Sequence, residues 1–173
     1  GYGTLGLGLS PYFDVGYRGV ENKTYDELKF KDIFEAHGGV HTATVSLGTA
    51  LRDRLYYGAA LGFFFGRTSE NWLRNFESGE LFSSQDTLTY DFSGSSGSAG
   101  FVLRITDWLN LGGTYMTSIR FKEKETLSTS SGNKWHRKKT LSIPSFSGVG
   151  LALKLGKNLS AAVDFKGTIW NRI

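Results

Sequence analysis

The sequence contains no cysteine, which excludes both a disulfide framework and a thiolate metal site. It also lacks any apolar run of the ~18 residues that a membrane helix requires, so a helical membrane protein is excluded. The net charge of +4 is modest and falls mainly between the apolar segments. No basic face on a recognisable nucleic-acid module is visible, and no nucleic-acid partner is expected. The opening GYGTLGLGLS has no basic region, apolar core or cleavage site, so a signal peptide is expected to be absent or already removed. None of these absences excludes a transmembrane β-barrel, whose lipid-facing residues come only at every second position.

What is present is aromatic and small. Apolar residues make up only 39%, yet 13 Phe and 8 Tyr are far more than a disordered chain carries. In LRDRLYYGAALGFFFG, Leu51 to Gly66, the odd positions Leu55, Tyr57, Ala59, Leu61, Phe63 and Phe65 are apolar. The even positions Tyr56, Gly58, Ala60, Gly62, Phe64 and Gly66 are mostly small. A strand sorts residues by parity in this way, and a helix does not.

The same period of two runs through seven segments. Leu5, Leu7, Leu9, Phe13, Val15 and Tyr17 alternate with Gly6, Gly8, Ser10, Tyr12, Asp14 and Arg18. Further strands are centred on Ala43–Leu51, on the aromatic run, on Leu88–Ile105, on Leu109–Phe121, on Leu141–Leu153 and on Leu159–Ile169. In the fourth strand the apolar parity changes from even (Leu88, Tyr90, Phe92) to odd (Ala99, Phe101, Leu103). A β-bulge is expected where the faces swap, at Ser93, Gly94, Ser95, Ser96, Gly97 and Ser98. Short turns at 52–54, 106–108 and 156–158 alternate with long polar loops at about 21–37, 69–85 and 123–139. The short turns align as L-G-T-A-LRDRL, F-V-L-R-ITDWL and L-A-L-K-LGKNL, an internal repeat of hairpins about fifty residues long.

A soluble sandwich or lipocalin-like barrel would turn its apolar face inward. Three features favour a membrane barrel instead: strands longer than the usual ~5–6 residues, a Gly-rich polar face suited to a crowded lumen, and short turns opposite long charged loops. The expected fold is therefore all-β, an antiparallel up-and-down transmembrane β-barrel forming one domain over 1–173. Seven strands are an odd number, whereas bacterial single-chain barrels have even counts, so the chain reads as part of a larger barrel.

The segments DFSGSSGSAGFVLRITDWLNLGGTYMTSIRFKEKETL and IPSFSGVGLALKLGKNLSAAVDFKGTIW resemble strand–turn–strand units of the FadL-type outer-membrane transporters for long-chain fatty acids and other hydrophobic compounds. LGLGLSPYFDVGYRG and GGVHTATVSLGTAL are similar to the family's bacterial relatives. The resemblance implies a fourteen-stranded barrel, an N-terminal plug and a bulged strand that opens sideways to the membrane. It also implies a bacterial outer-membrane location. The sequence shows no plug and about half the strands, and Ser93 to Ser98 is the position expected for the lateral opening.

Side chains expected inside the barrel include Tyr12, Tyr56, Phe64, Phe146 and Trp170, which either contact a greasy ligand or pack a plug. Inward charges are expected at Asp14, Arg18, His41, Asp91, Arg104, Arg120, Lys122, Lys154, Asp164 and Lys166. Arg104, Arg120 or Lys166 could hold a carboxylate head group, or join Asp91 and Asp164 in an ion-pair lattice along the wall. In the expected loop Asn71–Phe82, residues Trp72, Leu73, Phe76, Leu81 and Phe82 have spacings close to one helical face, for hydrophobic capture or loop packing. KWHRKK, 134–139, reads as a contact for lipopolysaccharide phosphates or as a solvated loop end.

Catalysis has little support. His37, His41 and His136 lack metal-ligand spacing, no serine sits in a nucleophile elbow, and no cofactor or metal is expected. The expected function is passive uptake of small hydrophobic molecules through the barrel with lateral exit, membrane lipid being the surrounding partner. The alternative is a non-transporting barrel that serves as a scaffold or docking subunit for other envelope proteins.

Overall fold

Alternation over stretches this long leaves each backbone one way to satisfy its N–H and C=O groups: a ladder with the next hairpin strand. A computed structural model shows that arrangement and describes residues 3–25, 28–76, 82–156 and 158–169. The strands are β1 (Gly3–Tyr25), β2 (Leu28–Leu51), β3 (Leu55–Phe76), β4 (Ser84–Arg104), β5 (Leu109–Met116), β6 (Ile119–Ser128), β7 (Lys134–Ile143), β8 (Ser145–Lys154) and β9 (Ser160–Ile169). β5 and β6 are two lengths of one strand interrupted at Thr117–Ser118, and β7 and β8 are two lengths of another interrupted at Pro144. Over the described residues the result is a seven-stranded antiparallel meander, with all registers antiparallel.

The sheet curls into a half-barrel. Strands lie about 4.8 Å apart, so a flat sheet would hold β1 roughly 14 Å from β4. Yet the rings of Phe13 on β1 and Phe92 on β4 are 6.0 Å apart, and those of Tyr12 and Phe121 on β6 are 6.1 Å apart. Among the described residues, β1 and β9 each pair along one edge only.

The expected long loops are mostly strand. β1 and β2 together cover nearly all of 21–37, and β3 and β4 run into both ends of 69–85. β6 and β7 leave only 129–133 between them. A membrane crossing uses about 9–11 residues per strand, and β1, β2, β3 and β4 have 23, 24, 22 and 21. Their upper halves form a wall beyond the apolar band. Polar composition made this wall look like loop, but one polar face and one apolar face are what an antiparallel sheet in water requires.

That change of surroundings inverts the two faces. In the lower half Leu5, Leu7, Leu9, Val45, Leu47, Leu61 and Phe63 point outward and are exposed. In the upper half the large apolar residues point to the concave side, where Val40, Phe64, Ile119 and Phe121 form the buried core. Three strands invert by a shift in backbone register. β1 carries an irregularity between Pro11 and Phe13, so that consecutive Tyr12 and Phe13 both turn inward. In β5/β6 and β7/β8 the interruptions at Thr117–Ser118 and Pro144 do the same. Odd-numbered Tyr115 and Val149 stay outside while odd-numbered Ile119 is buried and Ile143 packs on the core. β2, β3 and β4 keep an unbroken mutual register and change the parity of their apolar residues instead. Glycine accommodates the bend: Gly38 has φ of 116°, and a Cβ on Gly66 would collide with the Gly39 carbonyl oxygen.

Two expectations are corrected by these registers. The parity change at Ser93–Ser98 is no bulge against β3, with which β4 pairs without a shift from Leu103 to Ser84. The register shift at that interval lies toward β5 and β6, where the extra residue belongs to the neighbour. The apolar set moves because the surroundings change. Asp14, Arg18, His41, Asp91, Arg120 and Lys122 point outward, since each lies above the inversion or on the outer parity of its strand. Ile119 and Phe121, grouped with the lipid-facing residues by their odd numbers, belong to the core.

Candidate functional site

At the height of the inversion the concave side is filled by rings. Phe64 meets Tyr12 at 5.0 Å and Phe121 at 5.4 Å, both edge to face, and Phe92 meets Phe121 at 6.3 Å. Met116, Ile143 and Phe92 pack against this cluster. Burying each large ring stabilises the fold by about 1.5–3 kcal/mol, and edge-to-face pairs add roughly 0.5–1.5 kcal/mol. Below the cluster the concave face is a trough of about 380 Å³ lined by Thr4, Gly6, Ser46, Gly58, Ala60 and Ser98 among others. The expected aromatic lumen is thus an aromatic constriction above a bore of small residues. A larger hollow, about 870 Å³, opens over the outward face beside Leu47, Tyr57, Phe101 and Tyr115.

The hydrogen-bond ladder, though not the wall itself, is split beside the constriction by a one-residue register shift. β4 pairs with β6 as far as Ser93↔Lys122 and with β5 from Ser98↔Met116. Four residues of β4, 94–97, therefore face five, 117–121, on its neighbour. Across this interval Thr117 N–H donates to the Gly97 carbonyl and Gly97 N–H donates to Thr117 Oγ1, each at 2.9 Å. Pro144 follows on the next strand and has no N–H to give. Ile119 and Phe121 close the concave side of the split, only 1% and 4% exposed. The register break thus lies on the partner of the SGSSGS segment. That segment supplies the small residues opposite: a Cβ on Gly94 would press on the Arg120 carbonyl and the Phe121 ring.

The expected site residues divide between places. Tyr12 and Phe64 meet in the constriction, and Phe146 pairs in register with Met116 at its edge. Tyr56 and Arg104 lie at the short-turn rim, roughly 26 Å down β3 from Phe64. There the Arg104 guanidinium is 5.8 Å from the Tyr56 ring, and the Tyr56 hydroxyl donates to the Asp53 carbonyl at 3.2 Å. Lys166 borders a hollow of about 390 Å³ with Asp164, Asn110 and Gly112. Arg120 is on the outer surface, because its neighbours Ile119 and Phe121 point in. Trp170 and Leu81 lie outside the described residues.

The expected capture segment is not a helix. Trp72, Leu73 and Phe76 are in β3, so period two sends Trp72 and Phe76 to one face and Leu73 to the other. Phe82 lies beyond the strand and is 96% exposed. Phe76 packs on Phe30, which also carries the Arg74 guanidinium at 4.6 Å. Arg74 donates twice to buried Asp32, at 2.7 and 3.0 Å, and Lys23 reaches the same carboxylate at 3.4 Å. These hydrogen bonds, Arg74's foremost, hold the Asp32 carboxyl below its ordinary pKa. Lower down, burial pushes the Tyr90 phenol up, and the charges of Glu70, Glu125 and Glu123 act in the same direction. No group of three or more potential metal ligands occurs among the described residues.

The sequence reading missed Phe13, Phe92, Ile119 and Phe121 as lining residues. Their one signal was an apolar alternation continuing past the ~11 residues a bilayer can accommodate. The expected ion-pair lattice inside the wall is also absent from Asp91, whose partner is Arg67 on the outer face at 2.6 Å.

Solved structures share this architecture. The toluene transporter TbuX of Ralstonia pickettii aligns with a TM-score of 0.55 and 12% identity, over 97% of this chain and 61% of that one. The deltaS2S3 mutant of the monoaromatic hydrocarbon channel TodX aligns with a TM-score of 0.55 and 14% identity, over 99% and 60%. The chain thus spans about three-fifths of the length of either, as a portion of a FadL-like barrel, and identities this low speak for fold alone. No curated protein matches the chain. The resemblance to FadL-type transporters therefore holds at the level of fold, while the family is a different one: the BamG family model matches residues 1–163. A match over nearly the whole length, joined to an inverted, curled sheet, makes this chain a member of the BamG family.

Proposed function

We propose that the chain forms part of the wall of a bacterial outer-membrane barrel that passes small hydrophobic molecules, fatty acids or aromatic hydrocarbons, and releases them sideways into the membrane. The observation that carries this reading is the split between 94–97 and 117–121, closed from within by Ile119 and Phe121. A register shift in a ladder leaves the extra residue's backbone unpaired with the neighbouring strand, which inside a membrane is costly unless protein covers it or the site has a use. An apolar stopper can yield to an apolar solute at little cost, while water and ions find no partners there. Both structural neighbours are described as carriers of aromatic hydrocarbons, which favours the same class of cargo.

In this mechanism the solute enters at the tall end, passes the rings of Tyr12, Phe64 and Phe121, and leaves past Gly94 and Gly97. Phe146 borders the route at the constriction, whereas Lys166 lies below it and Tyr56 and Arg104 lie at the far, short-turn rim. Trp72, Phe76 and Phe82 offer apolar surface at its entrance. The absence of native cysteine makes a direct test available. Ser96→Cys in the full-length protein, modified with a bulky maleimide, should reduce uptake of labelled toluene or fatty acid at least tenfold. Undiminished uptake after complete modification would remove the split from the route.

A second reading, a docking subunit for other envelope proteins, is favoured by the tall polar wall above the apolar band. A stoichiometric partner that co-purifies with a barrel free of bound lipid would select it.

A further inference from the structure

The strand KEKE, Lys122 to Glu125, looks neutral as sequence, but the sheet sorts its charges. Glu123 is buried on the concave side, and Glu125 pairs there with Lys139 at 2.8 Å. Lys122 and Lys124 point outward and are exposed. Across the hairpin, Lys134 and Lys138 share that outer face, and Arg120 joins it one position below Lys122 on the same parity. The outer positions of β6 and β7 are otherwise Thr126, Ser128, His136, Thr140 and Ser142. None is acidic.

The registers align these cations into rows. One row reads Arg67, Asp91, Lys124, Lys138, and the next one down reads Phe65, Ser93, Lys122, Thr140. Asp91, the one acid in these rows, is already held by Arg67. Lys124 and Lys138 lie directly opposite each other, an arrangement that destabilises a sheet unless something neutralises it. Phe65 and Phe63, 46% and 51% exposed, begin the lipid-facing apolar band at that level. The surface therefore pairs a cationic strip with an apolar one, at the height where head groups meet acyl chains. The short turns lie at the opposite end, so with the usual orientation of such barrels this is the outer leaflet.

We propose that the outward face of β6 and β7 binds the phosphates of an outer-leaflet phosphoglycolipid of the lipid A type, with acyl chains lying against Phe63 and Phe65. The proposal rests on the outer-membrane placement above and is independent of transport. Ammonium groups on adjacent strands about 5 Å apart can share one phosphate, which turns the Lys124–Lys138 repulsion into attraction.

The test is titration of the detergent-solubilised full-length protein with bisphosphorylated lipid A. The Lys122→Gln, Lys124→Gln, Lys138→Gln variant should bind at least tenfold more weakly, and dephosphorylated lipid A should bind the parent no better. Arg52→Gln with Arg54→Gln, at the opposite rim, should leave affinity unchanged. Single Lys124→Gln guards against misfolding of the triple variant: it should melt higher than the parent without lipid and gain less from lipid A. Equal affinity of the triple variant, equal binding of the dephosphorylated lipid, or equal competition by phosphatidylglycerol would overturn the proposal. Retention of an acidic protein in place of lipid A would do the same. Because uptake is not measured, failure here leaves the transport reading standing, and failure of transport leaves this one.

Discussion

Arg74 and Asp32 show how a polar sequence can build a packed interior. Asp32 is buried, yet two guanidinium hydrogen bonds and Lys23 satisfy it, so it ties the tall ends of β1, β2 and β3 together. With its pKa held below the ordinary carboxylate value, Asp32 contributes stability that is fully present above about pH 4. That contribution fades as pH falls through the lowered folded value. The urea midpoint of the parent should therefore drop below pH 4 by more than that of Asp32→Asn, which has no carboxylate there to protonate. In the constriction, Phe121→Ala should cost about 3–5 kcal/mol of stability, read from the same unfolding curves, and should speed hydrocarbon passage. The role of these residues was only half legible in the sequence. Tyr12 and Phe64 are on the polar parity of their strands and read directly as inward, whereas Phe121 and Ile119 carry the parity of lipid-facing Tyr115 and could be placed only once the interruption at Thr117–Ser118 was known.

Strands β2, β3 and β4 meet the change from membrane to water by switching the parity of their apolar residues, while β1, β5/β6 and β7/β8 switch the backbone. A parity break in sequence is ambiguous between these two devices. That is why SGSSGS reads as a bulge and yet is regular against β3, its irregularity lying toward β5 and β6, and why unbroken odd parity through Pro144 conceals a real interruption. Engineered thiols separate the cases. Ser93→Cys with Lys122→Cys, direct neighbours in register, should cross-link readily. Ser93→Cys with Phe121→Cys should not, because the two positions face opposite sides. At the short turn, Arg52 and Asp53 hold φ of 50° and 53°, a region that costs side chains roughly 1–2 kcal/mol. Asp53→Gly should accordingly raise the refolding midpoint, by about 1 kcal/mol in stability.

The whole molecule is a curled sheet with two environments on its outer face. Fold class and strand count follow from alternation, because period two survives whichever way each face points. The upper wall does not, because a polar outer face resembles a loop when only composition is seen. The edges of β1 and β9 have no partner among the described residues, and the chain spans 61% and 60% of its structural neighbours. A bilayer tolerates no open sheet edge, so in the membrane both edges are covered by further strands. Spin labels on one strand face test the two-environment account most directly. Labels at Leu61 and Phe63 should be reached by oxygen and shielded from a water-soluble nickel complex. Labels at Thr89 and Asp91, on the same outer face of the sheet, should show the reverse. Lipid-like accessibility at Thr89 and Asp91 would contradict the inversion and the placement of the split at the membrane's edge.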